Sequence, residues 1–188
     1  MGSPLSDEHF RALSEARVRA KKVRRAAAVA VTSGWSMLFF AMLTLLGGLL
    51  GDMASLVMGL ALAGLSVNEL IGASMVRALN PAGARRLGFN QLVLGGLLVV
   101  YAGWSLWTNL QSPAMGELSD ELAADPQMQA VVGQVSSMVT WVLYGGMAVF
   151  GLVVPGLTAV YYFSRARAIR SVIETTPEWV IEAMRRTG

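Results

Sequence analysis

RRAAAVAVTSGWSMLFFAMLTLLGGLLGD, residues 24–52, decides the fold. Twenty-six uncharged residues, 26–51, stand between two arginines and an aspartate. A helix needs roughly 20 apolar residues to cross a bilayer, so the stretch is long enough. Its two ends also carry opposite charge. The pattern recurs along the chain. Uncharged runs of 30 residues (87–116) and 39 residues (126–164) follow, and the stretch from Met53 to Val76 is interrupted only by Glu69. The 188-residue chain is 54% hydrophobic and 14% charged, where a soluble domain carries about 25% charged residues. Its mean hydropathy is +0.53. These features predict an all-α integral membrane protein built as a four-transmembrane-helix bundle, with spans at about 26–50, 53–79, 87–110 and 136–164.

The fifteen Lys and Arg residues set the expected orientation. Seven precede the first span, three (Arg77, Arg85, Arg86) flank the second connection, and five follow the last span. The first and third connections hold Asp52, Glu117, Asp120, Glu121 and Asp125 instead. Short loops that stay in the cytoplasm are enriched in Lys and Arg, so both termini are expected inside. The net charge of +3 hides this division. The cations read as topology signals that touch anionic lipid headgroups, chiefly Arg17, Arg19, Lys21, Lys22, Arg24, Arg25, Arg85 and Arg86. Nucleic acid is not an expected partner. Richness in Ala, Gly and Arg suggests a prokaryotic cytoplasmic membrane.

Three regions are expected. Residues 1–25 hold a basic amphipathic helix, with Ser6 as N-cap, Leu5 and Phe10 in staple positions, and Glu15–Arg19 as an i,i+4 pair. Residues 26–170 form the membrane domain. Within it, Asn80-Pro81-Ala82-Gly83 reads as a turn and Asp125-Pro126 as the start of a long helix kinked at Pro155. Residues 171–188 hold a short helix whose Trp179, Val180, Ala183 and Met184 lie on the inner membrane surface or dock on the N-terminal helix.

The sequence LSVNELIGAS, residues 65–74, places an amide and a carboxylate inside the second run. Glu69 lies eight residues before Arg77, about 12 Å along a helix. Helical projection sets Ser55, Gly59, Ser66, Ala73 and Arg77 on its side of the span, a small-residue stripe that lets helices approach. Ser33, Asn90, Gln91 and Thr158 fall at similar depth on the other spans, so with Ser66, Asn68 and Glu69 they define an intramembrane polar layer. Three roles follow for Glu69. It is a protonated structural acid donating to Asn90 or Gln91, a cation site or proton relay, or a contact to another subunit.

Enzyme chemistry has little to stand on. The chain has no cysteine and one histidine, His9, which excludes Ser-His-Asp and Cys-His sets within the spans. Neither a cofactor nor a metal is expected. Glu117, Asp120, Glu121 and Asp125 share one face if helical but lack the loop of a dedicated calcium site. The expected function is that of a non-catalytic subunit or scaffold, working through helix–helix assembly as a homo-oligomer or with a membrane partner protein. The alternative is an oligomeric channel or carrier for a cation or protons that uses Glu69.

Overall fold

The computed structural model describes residues 6–111 and 126–186. Among the described residues six α-helices follow one another: α1 Asp7–Leu49, α2 Met53–Arg77, α3 Pro81–Gln111, α4 Pro126–Thr140, α5 Gly146–Thr175 and α6 Glu178–Arg186, with a π-helical turn, Trp141–Gly145, joining α4 to α5. Four helical stretches are long and apolar enough to cross a membrane: Asp7–Leu49, Met53–Arg77, Pro81–Asn109 and Gly133–Thr175. The acidic residues 117–125, the Asp125 cap and Leu5 of the staple lie outside the described residues.

The N-terminal helix and the first span are one element, not two. Nothing between Asp7 and Val31 is Gly or Pro, and Arg-Arg-Ala-Ala-Ala at 24–28 is strong helix former, so the charge boundary does not break the helix. Its 43 residues extend about 65 Å, twice the hydrocarbon thickness. At the start, the Ser6 N–H donates to Nδ1 of His9 at 3.1 Å, and the Glu15–Arg19 pair forms at 3.4 Å. At the far end, Gly51 takes φ +105°, a turn that favours glycine. Asp52 then caps α2, accepting from the Ala54 N–H at 3.0 Å. The hydrogen bond from the Ser55 hydroxyl, more than any other contact, holds the Asp52 carboxyl below the usual carboxylate range.

The expected turn at Asn80–Gly83 is instead the entry to α3. Asn80 Oδ1 accepts from the Ala82 N–H at 2.9 Å and Pro81 occupies the first helical position, where its missing N–H costs nothing. Arg85 and Arg86 therefore lie within the helix. The exit of α2 is a Schellman motif: Leu79 donates to Val76 O at 3.0 Å and Asn80 to Met75 O at 2.9 Å. Its left-handed position, φ 55°, belongs to Leu79, which is 3% exposed. Burial of its side chain holds it there against the intrinsic preference.

The chain divides into two compact units, Met1–Gln91 with Thr158–Gly188, and Leu92–Leu157. In the first, α1 buries Ala16, Ala20, Val23, Ala27, Ala30, Gly34, Met37 and Ala41, alternating steps of four and three. The buried face of α2 runs Gly59, Leu62, Ser66, Glu69, Ala73 and Val76 in the same rhythm. A 3.5-residue repeat is the pattern of coiled-coil packing. Small residues make it close: a methyl on Gly48 would stand 2.7 Å from Leu56 Cα, and one on Gly59 2.9 Å from Leu45 N. Beyond the seam, Val76, Leu79, Leu87, Ile169, Val180, Ile181 and Met184 join the core. Helix α6 thus docks on the chain's own N-terminal helix, the second of its two expected settings. Ile181 takes the place expected for Trp179, which is 42% exposed with its ring edge against His9.

In the second unit, Pro155 leaves α5 continuous. Proline has no N–H to offer Gly151 O, and that carbonyl lies against Gly95, where a methyl would stand 2.6 Å from it. A π turn, Trp141–Gly145, precedes α5.

Candidate functional site

Glu69 occupies one position of the α2 seam and is fully buried. Its neighbours are set by close approach. A methyl on Gly34 would stand 3.6 Å from Glu69 Cβ and 2.8 Å from Leu70 Cδ2, so α1 meets α2 almost backbone to side chain there. One turn away, the Ser66 hydroxyl donates to Gly34 O at 2.8 Å. Consecutive residues on α3 then supply both amides: Asn90 Nδ2 donates to Glu69 Oε2 at 2.6 Å, and Gln91 Nε2 to Oε1 at 2.9 Å. From α5, the Tyr162 hydroxyl donates to Oε1 at 3.3 Å. The Ser33 hydroxyl of α1 lies on the same side of the site. One carboxyl group thus receives hydrogen bonds from two other membrane-length helices, α3 and α5, and packs against a third, α1, at Gly34.

The direction of these bonds follows from the groups at the ends of the network. Arg86 can only donate, and its Nε–H does so to Asn68 Oδ1. Asn68 must therefore present its NH₂ to Asn90 Oδ1, at 2.7 Å. Asn90 must then turn its own NH₂ inward, where it reaches both Glu69 and Leu65 O, the latter at 3.0 Å. A backbone carbonyl only accepts, so both ends agree. Glu69 Oε2 is consequently an acceptor, and the expected donation from Glu69 to Asn90 runs the other way. Any proton on the carboxyl sits on Oε1, facing Gln91, whose amide can turn, and Tyr162, whose hydroxyl can rotate.

The expected polar layer is thus partly assembled. Glu69, Asn90 and Gln91 meet directly, Asn68 joins through Asn90, Ser33 lies nearby, and Ser66 bonds to α1 instead. Thr158 is half-buried, four residues before Tyr162 on the same helix. Gly59 and Ala73 lie in the buried seam, whereas Ser55 bonds to Asp52 and Arg77 is exposed. Arg17, Arg19, Lys21, Lys22, Arg24, Arg25, Arg85 and Arg86 are all exposed. Tyr162, which sequence reasoning did not place at the site, is fully buried. Its neighbour Tyr161 is half-buried, with the Arg165 guanidinium 4.6 Å from its ring centre. The signal for Tyr162 was the small-residue rhythm Ala159, Tyr162, Ala166, Ile169, all buried. Among the described residues, no group of three or more His, Asp or Glu side chains is arranged to hold a metal ion.

Fold and site define an all-helical protein with four membrane-length helices joined at one buried acid. Comparison with protein families, with characterised proteins and with solved structures finds no match.

Proposed function

We propose that this is a non-catalytic multi-pass membrane protein, with both termini in the cytoplasm, that works by lateral helix–helix assembly. The observation that carries the reading is the fourth membrane-length helix. Only 6% of its apolar window is buried, against 39% for α2 and 33% for α3. Lipid can cover such a surface, but lipid gives no reason for glycine, which costs about 1 kcal/mol relative to alanine in a helix. A close-packed neighbour does. Gly48, Gly59, Gly72, Gly83 and Gly88 each meet a neighbour closer than 3 Å where a methyl would be placed, whereas Gly133, Gly145, Gly146 and Gly156 have open space within 4 Å. Open glycines also occur on α2 (Gly64) and α3 (Gly96, Gly103), and Gly151 of the fourth helix packs against Leu98, but the fourth helix carries four of them on a surface that the chain leaves largely uncovered. These four are the contact points for a helix from a second copy or from a partner membrane protein. The Glu69 network supports the non-catalytic side of the reading, because its oxygens are occupied by donors from within the chain. A carrier would have to exchange those donors for its cargo.

The test is the mass of the purified protein in nanodiscs. A defined complex larger than one 20.0 kDa chain is expected. The Gly133→Leu/Gly146→Leu double variant should dissociate it while leaving helix content unchanged. A wild-type monomer with no co-purifying membrane protein would overturn the proposal.

A further inference from the structure

We infer that the outward face of α1, where its basic segment meets its apolar run, binds the headgroup of an anionic phospholipid. A shallow depression of about 470 Å³ lies on this face, lined by Arg17, Val18, Lys21, Arg24, Arg25 and Ala28. Four of its six lining residues are cations and none is an acid. Four other cations of this unit have internal partners: Arg19 bonds to Glu15 and to Thr175 O, Arg86 to Asn68, Arg185 to Ala78 O, and Arg186 to Glu182; what sets the four lining residues apart is their convergence on one depression. Among the described residues, no ion pair or side-chain hydrogen bond within the chain engages Arg17, Lys21, Arg24 or Arg25. The opposite face of the same turns, Ala16, Ala20, Val23 and Ala27, is buried. The helix is therefore held in place and the four charges stay together despite mutual repulsion, which an anion would relieve.

The choice of a phospholipid over a soluble anion rests on what continues the face. At about 100° per residue, Arg17, Lys21, Arg24 and Ala28 fall within about 40° of one line along α1, and so do Trp35 and Phe39. Trp35 is 60% and Phe39 59% exposed. A single helix face thus presents cations and then bare aromatic surface within about three turns. An amphiphile with an anionic head and acyl chains matches both halves, whereas a free phosphate or an acidic peptide matches only the first. The inference uses none of Gly133, Gly145, Gly146 and Gly156, so it and the assembly reading fail separately.

The experiment counts lipids bound to the full-length protein by native mass spectrometry in mild detergent, with phosphatidylglycerol and phosphatidylcholine of equal chain length. Wild type should prefer phosphatidylglycerol. The Arg17→Gln/Lys21→Gln variant should lose about 25-fold of that preference, on the order of fivefold per cation near an anionic lipid surface. Arg24 and Arg25 stay in place to preserve orientation. Arg17→Lys/Lys21→Arg should keep the preference, as should Arg167→Gln/Arg170→Gln, which removes two exposed cations of α5. Equal retention of the two lipids by wild type would overturn the inference. So would an unchanged preference in the glutamine variant, or loss in the charge-conserving one. Displacement of phosphatidylglycerol by glycerol phosphate as effectively as by the lipid itself would also overturn it, by assigning the face to a soluble anion.

Discussion

At the scale of single residues, the account rests on how a carboxyl group is accommodated where its neighbours are apolar. That Glu69 faces protein was legible from one chain, because Ser66 and Ala73 share its side of the helix. That Asn90 and Gln91 stand at its depth was legible from counting. Which group donates to which was not, since the orientation of Asn90 is imposed by Arg86 through Asn68, and no helical projection contains that link. Tyr162 escaped because a tyrosine three residues from an arginine resembles a membrane-interface residue unless the buried rhythm around it is noticed. The network makes a paired prediction. In Glu69→Gln, the new carbonyl meets Asn90, its NH₂ meets Gln91, whose amide turns to accept, and the Tyr162 hydroxyl rotates, so stability should change by less than about 1 kcal/mol. Glu69→Ala leaves buried donors unsatisfied at about 1–3 kcal/mol each and should lower stability by several kcal/mol. Thermal unfolding in detergent, followed by circular dichroism, compares the two. Equal behaviour of both variants would show that the carboxyl is not the junction described.

Among the elements, boundaries marked by local chemistry were readable and continuity was not. Asp52 and Pro81 were visible as punctuation. Yet the sequence Asn80-Pro81-Ala82-Gly83 suits a turn and a capped helix start equally, and only the packing of Gly83 against α2 selects the helix. A methyl there would stand 2.9 Å from Gly72 O and from Val76 N. The unbroken α1 has a similar origin. Its charge pattern suggests two helices, but its backbone propensity and its continuous buried face support one. Close packing at glycine is testable by two substitutions in the α1–α2 pair. Gly48→Ala forces a methyl to within 2.7 Å of Leu56 Cα, and overpacking of this kind costs about 1–3 kcal/mol. Gly64→Ala meets nothing within 4 Å and should stabilise by up to about 1 kcal/mol through helix propensity. Chemical denaturation of both variants reads the two signs. A stabilised Gly48→Ala protein would mean that the seam is looser than its geometry indicates.

At the scale of the whole molecule, the number of membrane-length helices followed from the lengths of uncharged runs, because hydrocarbon thickness sets a requirement that few soluble sequences meet. The docking of α6 did not follow. An amphipathic helix reads the same whether lipid or protein covers its apolar side, and the core formed by Val180, Ile181 and Met184 depends on residues more than 90 positions away. Everything proposed about assembly and lipid binding depends on the chain crossing the membrane four times with its cations on one side. The chain has no cysteine, so single substitutions report on one site each. Ser3→Cys, Thr187→Cys and Ser119→Cys, probed in intact cells with a membrane-impermeant thiol reagent, measure the arrangement directly. Residue 119 should label from outside, and residues 3 and 187 only after the membrane is opened. Labelling of residue 119 from the same side as the two ends would contradict the four-span arrangement.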